Sequence, residues 1–275
     1  MSGALVLVGT PIGNLGDLAP RAAEELGRAD AVACEDTRRT GRLLAHLGIR
    51  APALVVVNDH TEAGAVRELL ARLDRGERVA VVTDAGMPGI SDPGERLVAA
   101  AAAAGHRVEV VPGPSASIAA LVASGLPAGR HVFEGFLPRK GSGRTERLAA
   151  VAGERRTVVL YEAPHRVART LADLAEVCGP DRRVVLAREL TKLHEEVWRG
   201  SLAGAVEHCR EVEPRGEFVI VLDGAPPASI PDDEAIRVAL DRARREGATT
   251  RDAVGQVAQA LGVPKRRVYD LAVSG

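Results

Sequence analysis

Aromatic residues are scarce in this chain of 275 residues, where they make up 2% of the sequence and include a single tryptophan. Hydrophobic residues still reach 46%, so valine, leucine, isoleucine and alanine must fill the core. With so few rings available, stacking on the protein is expected to be a small term in any contact with nucleic acid bases.

Other absences narrow the class of protein. The cysteines Cys34, Cys178 and Cys209 lie far apart and form no CxxC pair, which is typical of reduced core thiols and not of a metal site or redox couple. There is no HExxH motif and the histidines are scattered, so we predict no metal.

Neither a signal peptide nor a membrane span is indicated, because no apolar run reaches the ~20 residues needed to cross a bilayer. A cytoplasmic location is therefore expected. The formal net charge is -1, so any contact with nucleic acid would depend on a local basic patch.

Short β-branched runs alternate with helical stretches in the first part of the chain. This pattern predicts an α/β domain over residues 1–124, with a parallel sheet covered on both faces. A helix over Ser115–Ser124 would complete that domain. The predicted strands are Ala4–Val8, Ala31–Cys34, Ala53–Val57, Arg78–Val82 and Arg107–Val111.

A second α/β domain with a mixed sheet is predicted over residues 130–224, after a hinge at Gly125–Gly129. Its last two strands, Glu195–Arg199 and Glu217–Leu222, are separated by one short helix, which favours antiparallel pairing. The earlier strands are His131–Leu137, Thr157–Glu162 and Arg183–Ala187.

A proline-rich linker over 225–231 precedes a small helical tail over 232–275. Apolar residues at helical spacing end at Gly262, and Pro264 stands where a new helix would begin. These features predict a helix-turn-helix unit.

Glycine, proline and acidic residues follow the strands of the first domain, at the edge where open parallel sheets bind ligands. Gly9, Gly13 and Gly16 give the spacing GxxxGxxG, and no GK[ST] follows a glycine loop. This spacing argues against both a dinucleotide site and a P-loop. For Glu35, Asp36 and Asp84 a helix-capping role is the open alternative to a functional one.

Seven motifs occur in one order: GTPIGNLGD, CEDTRRTG, TDAGMPGISDPG, VVPGPSAS, EGFLPRK, LYEAPHR and LARELTK. Together they resemble the ribosomal RNA cytidine 2'-O-methyltransferases, which belong to the tetrapyrrole methylase superfamily. The resemblance spans roughly residues 4–224, and EGFLPRK and LARELTK favour the RNA-modifying branch. The tail also resembles the C-terminal extension of those enzymes.

The resemblance implies a two-domain tetrapyrrole-methylase-like fold that usually dimerises and binds S-adenosylmethionine between its domains. A homodimer acting on small-subunit (16S) ribosomal RNA is therefore expected. By similarity, the cofactor-binding positions are Pro11, Asp84, Ala85, Gly86, Gly89, Ile90, Ser115, Ala116, Glu162 and Leu190.

The reaction implied is attack of a ribose 2'-hydroxyl on the methyl group of the sulfonium, which a general base would assist. Candidates for that base are Asp36, His60 and Glu189, because they stand on loops at the rim of the sheet or at a facing strand end. Candidate RNA contacts are Arg139, Lys140, His165, Arg166, Arg188, Lys192, Lys265, Arg266 and Arg267.

Two other functions are compatible with this pattern. A methylase of a small tetrapyrrole in cobalamin or siroheme synthesis would share the fold and the cofactor. An RNA-binding factor with a degenerate cofactor fold would not bind S-adenosylmethionine, so a binding measurement separates it from both enzymes.

Overall fold

The computed structural model describes residues 3–50, 52–58, 61–227 and 231–273, without the side chains of 62 and 63. Residues 1–225 belong to one compact unit, which contains two β-sheets, and residues 226–275 belong to a second unit. In the part of the chain that is described, no helix is long and apolar enough to cross a membrane.

The first sheet is parallel throughout, with the strand order β3-β2-β4-β1-β5. Its strands are β1 (Ala4–Val8), β2 (Ala31–Cys34), β3 (Ala53–Val56), β4 (Arg78–Val81) and β5 (Arg107–Val111). The accompanying helices are α1 (Pro20–Arg28), α2 (Thr37–His46), α3 (Glu62–Asp74) and α4 (Glu95–Ala103).

Helices cover both faces of this sheet, as the continuous apolar strands predict. Leu26 of α1 and Leu44 of α2 pack into one core layer, and Leu69 of α3 and Leu97 of α4 pack into the other. Strand β4 returns to lie between β2 and β1, so the strand order reverses there. A crevice at the carboxyl ends of β1 and β4 follows from this topology.

The second sheet is mixed, with the order β6-β7-β10-β8-β9, in which only β6 and β7 are parallel. Its strands are β6 (His131–Phe136), β7 (Thr157–Glu162), β8 (Arg183–Arg188), β9 (Glu196–Ser201) and β10 (Phe218–Leu222). The helices are α5 (Ala116–Ser124), α6 (Ser142–Gly153), α7 (Pro164–Cys178) and α8 (Leu202–Glu211).

The prediction that the last two strands pair with each other was wrong. Both β9 and β10 are antiparallel to β8 and lie on opposite sides of it. The reason is that β10 is apolar and buried at every position, which suits a central strand. In contrast, β9 is only partly buried and occupies the edge.

Helix α5 packs on the second sheet although it directly follows the first. Its Ala120 and Leu121 share a core with Val159, Val185 and Val221. Helices α7 and α8 supply Leu171 and Leu202 to the opposite face. On the edge strand, Trp198 stacks on His208 of α8 with ring centroids 5.3 Å apart.

The tail forms a core of its own and contains α9 (Asp233–Arg245), α10 (Thr250–Leu261) and α11 (Lys265–Val273). Gly262 ends α10 in the left-handed conformation, with φ +62, and the predicted pair of helices around it is present. Helix α9 adds Ile236 and Leu240 to that core, so the tail is a three-helix unit.

Candidate functional site

The loop after β1 is fixed to the loop after β4. Thr10 N donates to Gly86 O at 2.9 Å and Gly86 N donates back to Thr10 O at 3.2 Å, which forms an isolated antiparallel bridge. The Thr10 hydroxyl also donates to Thr83 O. Gly86 has φ +85, a conformation that glycine adopts without steric cost.

The loop after β1 also reaches the second sheet. Asn14 N donates to Thr191 Oγ1 at 3.1 Å. An added methyl group at Gly13 would overlap Lys192 and lie 3.1 Å from Leu190 O. This close approach requires glycine and brings residues 189–192 against the carboxyl edge of the first sheet.

A cavity of about 330 Å³ lies between the two sheets, and we call it the first cavity. Its volume is in the range of small-molecule sites. The residues that line it are Ile12, Ala85, Gly86, Met87, Ile90, Ser91, Asp92, Ser115, Ala116, Phe136, Tyr161, Glu162, Ala163, Pro164, Ala187, Glu189, Leu190, Lys192, Glu217, Phe218 and Val219.

Aromatic side chains form part of this wall although the chain has few of them. Phe136 and Tyr161 are register partners on β6 and β7, with ring centroids 5.6 Å apart. Phe133 meets Tyr161 edge-on at 5.0 Å behind them. Half of the Phe136 side chain is exposed (51%), so the ring is available to a ligand.

Backbone strain is concentrated at the same place. Of the described non-glycine residues, only Ser91, Glu189 and Thr191 have positive φ, at +60, +50 and +65. The left-handed region is unfavourable for a β-branched residue such as Thr191. Ser91 and Glu189 line the first cavity, and strain of this kind gathers at ligand-binding sites.

Asp92 is the acidic group of the first cavity with the largest change in acidity. Burial raises its pKa to about 7, and the negative charges of Glu35 and Asp84 act in the same direction. A cationic ligand in the first cavity would favour its ionised form.

A second cavity of about 450 Å³ adjoins the first. Four residues line both: Ile12, Ala85, Lys192 and Glu217. The other residues of the second cavity are Thr10, Pro11, Gly13, Leu15, Arg39, Thr40, Arg42, Leu43, His46, Thr83 and Asp84. The two cavities thus meet at the turn after β1 and the loop after β4.

Asp84 carries an unsatisfied oxygen beside the second cavity. Its Oδ2 lies 3.4 Å from Arg39 Nε, whereas Oδ1 is buried and has no hydrogen-bond partner among the described residues. Burial raises the pKa of Asp84, and the charge of Arg39 opposes this rise.

Two of the three candidate bases are engaged in strong contacts. Asp36 is the N-cap of α2, and its Oδ1 accepts a hydrogen bond from Arg38 N at 2.8 Å. Together with the Arg38 guanidinium, this bond holds the pKa of Asp36 far below its usual range. The capping interpretation of Asp36 is thereby confirmed.

Glu189 accepts hydrogen bonds from Lys192 Nζ at 2.8 Å and Glu217 N at 3.0 Å. Burial acts to raise the pKa of Glu189, but these contacts lower it overall. A carboxylate with a lowered pKa is a weak base. The third candidate, His60, lies outside the described residues.

The cofactor-binding candidates divide between the cavities. Seven of them line the first cavity: Ala85, Gly86, Ile90, Ser115, Ala116, Glu162 and Leu190. Of these, Ala85 also lines the second cavity. Pro11 and Asp84 line only the second cavity. Gly89 lines neither cavity and has φ +82, a conformation that favours glycine.

Glu162 is buried, and its carboxylate is fully engaged. Its Oε2 accepts a hydrogen bond from the Thr170 hydroxyl at 2.6 Å, and its Oε1 lies 3.1 Å from Arg166 Nε. Arg166 also donates to Leu137 O at 2.6 Å. Arg166 therefore connects α7 to the end of β6, and its guanidinium is already paired.

The other basic candidates differ in whether their side chains are exposed or already paired with other groups. Arg139, Lys140 and His165 are exposed, and the Arg166 bond to Leu137 brings their two segments together near the first cavity. In contrast, Arg188 donates to Arg215 O at 2.7 Å and pairs with Glu196.

Lys192 is the basic candidate that lines both cavities, where it is paired with Glu189 and Glu217. In the tail, Lys265 and Arg266 are exposed on α11, whereas Arg267 is paired with Asp233 at 2.7 Å.

Several residues of the site were not among the sequence candidates. Phe136 and Tyr161 stand inside the motifs EGFLPRK and LYEAPHR, and the rarity of aromatic residues was a usable signal for them. The spacing of Arg39, Arg42 and His46 was also a usable signal, since it puts them on one face of α2. Within the described residues, no cluster of three metal-ligating side chains is present.

Known proteins resemble this chain over most of its length. Residues 4–206 match the family model of the Tetrapyrrole (Corrin/Porphyrin) Methylases. A Synechocystis protein named ribosomal RNA small subunit methyltransferase I is 47% identical, with 98% of each chain covered. The protein of that name from Escherichia coli O157:H7 is 42% identical, with 98% of this chain and 95% of its own covered.

Solved structures share the fold at lower identity. The methyltransferase CobJ is 22% identical, with a TM-score of 0.62 over 82% of this chain and 95% of its own. A Thermus thermophilus uroporphyrin-III C-methyltransferase, complexed with S-adenosylhomocysteine, is 22% identical. Its TM-score is 0.56, with 86% of this chain and 100% of its own covered. The chain belongs to the tetrapyrrole methylase family and, within it, to the ribosomal RNA small subunit methyltransferase I proteins.

Proposed function

We propose that this protein transfers a methyl group from S-adenosylmethionine to small-subunit (16S) ribosomal RNA, at the 2'-hydroxyl of a cytidine. The observation that carries the proposal is the identity of 42–47% over nearly the full chain to proteins named for methylation of that RNA. The solved tetrapyrrole enzymes share only the fold at 22% identity, so methylation of a tetrapyrrole has no comparable support.

The first cavity suits S-adenosylmethionine. Ile12, Ile90 and Leu190 provide apolar walls, and Phe136 and Tyr161 provide ring surfaces on which a purine can stack. Asp92 supplies a carboxylate for a cationic ligand.

When bound, the cofactor supplies a methyl group on a sulfonium, which is an activated leaving group. The residues of this chain must then hold the acceptor hydroxyl in line with that methyl group. Ile12 and Ala85 border both cavities. A ribose in the second cavity would therefore approach the methyl group of a cofactor in the first cavity from the opposite side.

We propose that Asp84 accepts the proton of that hydroxyl. Its carboxylate borders the second cavity, its Oδ1 has no hydrogen-bond partner among the described residues, and burial raises its pKa. Asp36 and Glu189 both have lowered pKa values. A base with a higher pKa takes up a proton more readily.

RNA binding would use the exposed side chains of Arg139, Lys140 and His165 beside the first cavity, and Lys192 between the cavities. In the tail, Lys265 and Arg266 remain proposed contacts. Such contacts position the nucleic acid through its phosphates and carry little sequence information.

A homodimer in the cytoplasm is the state we propose for the protein. Ile118 and Val122 are four residues apart on α5 and are 47% and 69% exposed. An apolar pair of this kind on one helix face suits an interface between copies. Light scattering of the purified protein at several concentrations tests the dimer.

Mass-spectrometric mapping of ribose methylation in small-subunit RNA tests the proposed function. Deletion of the gene should remove one 2'-O-methyl group from a cytidine, and the intact gene should restore it. A gene copy with Asp84→Asn serves as a matched control for the presence of the protein. An unchanged methylation map after deletion would refute the proposal.

A further inference from the structure

One face of α2 carries a line of basic side chains into the second cavity. Arg39, Arg42 and His46 occupy positions i, i+3 and i+7 of the helix, so they lie on the same side. All three line the second cavity and are exposed. Seven helical residues advance about 10 Å, which is long enough to meet more than one phosphate of a nucleic acid strand.

The position of Arg39 is unfavourable for the helix itself. It stands in the first turn of α2, where the helix dipole favours acidic side chains and disfavours cations. Departures from local preference of this kind are expected at functional sites. The ion pair with Asp84 offsets part of this cost, and a bound anion would offset more of it.

The guanidinium groups of this face retain donors for a ligand. Arg39 makes its ion pair through Nε to Asp84 at 3.4 Å. Within the described residues, Arg42 donates a hydrogen bond through Nε, to Arg38 O at 3.4 Å. Arginine binds phosphate oxygens through two parallel N–H donors, so the outer nitrogens of both residues suit an anion.

Apolar residues complete the wall between the basic face and the turn after β1. Leu15 and Leu43 line the same cavity, and Leu15 is 48% exposed. The cavity therefore offers cations along one side, a carboxylate at Asp84 and apolar contact for a sugar or base. This combination fits a nucleotide within an RNA strand, with its phosphates along the basic side of the cavity and its ribose inside the cavity.

We propose that the α2 face formed by Arg39, Arg42 and His46 binds the RNA phosphates that flank the acceptor ribose in the second cavity. The inference rests on the proposed function and identifies the surface that holds its substrate. It also assigns the acceptor strand to α2 on the first sheet, whereas the exposed Arg139 and Lys140 follow β6 of the second sheet.

Arg42→Ala is the variant that tests this inference, because Arg39 also contacts Asp84 whereas Arg42 is not in contact with the proposed base. We expect a rise of roughly tenfold in the KM for small ribosomal subunits. Both kcat and the dissociation constant of S-adenosylmethionine should stay at wild-type values. Arg42→Lys, which keeps the charge, should recover part of the affinity.

Arg67→Ala is the matched control, because Arg67 is exposed on α3 and lines neither cavity. It removes the same charge from another helix that packs on the first sheet. The salt dependence of RNA binding adds a second readout. The binding constant falls with salt, and each lost phosphate contact makes the slope of log K against log salt less steep by about 0.7 for a single strand. Arg42→Ala should show this change and Arg67→Ala should not.

The outcomes separate the two proposals. An active wild-type enzyme whose RNA KM and salt slope are the same in Arg42→Ala as in Arg67→Ala would overturn the inference alone. A wild-type protein that binds S-adenosylmethionine but methylates no ribosomal RNA would overturn the proposed function, and the inference with it. A raised KM with a reduced slope and intact cofactor binding supports both.

Discussion

The close approach of Gly13 to residues 190–192 can be tested by adding a single methyl group. In Gly13→Ala the new carbon would overlap Lys192 Cγ and lie 2.8 Å from Thr191 Oγ1 and 3.1 Å from Leu190 O. Gly13 does not have positive φ, so alanine suits its backbone. The substitution therefore perturbs the contact between the loops and nothing within the turn itself.

The expected cost follows from those contacts. Overpacking by one methyl group costs about 1–3 kcal/mol. Loss of the hydrogen bond from Asn14 N to Thr191 Oγ1 would add about 0.5–1.5 kcal/mol. If the loops stay together, the strain lowers the free energy of unfolding. If they separate, Ile12 and Leu190 move apart and the cofactor loses affinity by about five- to a hundredfold.

Two measurements detect the two outcomes, which are strain in loops that stay together and loss of affinity when the loops separate. Urea denaturation gives the free energy of unfolding, and calorimetry gives the dissociation constant of S-adenosylmethionine. Gly27→Ala is the control, because the added methyl group meets no described atom within 4 Å. Gly27 lies in α1, so alanine there should stabilise the protein by about 0.5–1 kcal/mol and leave cofactor affinity unchanged.

The reasoning fails if Gly13→Ala matches the wild type in both measurements. The summed loss from stability and binding should reach at least about 1 kcal/mol, because atoms of Leu190, Thr191 and Lys192 must all shift to make room for the methyl group. A loss of the same size in Gly27→Ala would also refute it, since the effect would then have no connection with the contact to residues 190–192.

Three further predictions concern the cavities. The pKa of Asp92 is raised from 3.8 to about 7, so the folded chain keeps a proton that the unfolded chain loses, and stability should fall as pH rises from about 4 to 7. Asp92→Asn should flatten this dependence in urea titrations; an unchanged pH profile would contradict it. Phe136→Ala should weaken cofactor binding about three- to tenfold in calorimetry, whereas the control Val177→Ala, also at a half-exposed site (41%), should not. Asp84→Asn should lower kcat by about 10²-fold or more in single-turnover assays with little change in cofactor affinity; lost affinity with intact turnover would instead assign Asp84 to the cofactor.

Much of the fold is readable from the sequence because its strands are short apolar runs between turn residues. Strands β1, β2, β5 and β7 have the predicted bounds. The neighbours of β9 and β10 were not predictable in the same way, since strand order depends on which strand is buried on both sides. Helix α9 had readable signals, with Asp232 as N-cap and acidic residues in its first turn.

The candidate site was predicted less completely, and the reason is distance along the chain. Residues 85, 86, 115 and 116 follow strands of one parallel sheet, so their proximity follows from topology. The pairing of Phe136 with Tyr161 depends on the register between β6 and β7. The capture of Glu189 by Lys192 depends on a left-handed residue with φ +50, which no spacing rule anticipates.

The stacked pair of Trp198 and His208 has a practical consequence. Because the chain contains one tryptophan, light absorbed at the red edge of the indole band reports on the β9 edge of the second sheet alone. The second sheet therefore carries its own optical probe, against which separation of the β9 edge from α8 can be timed without any added label.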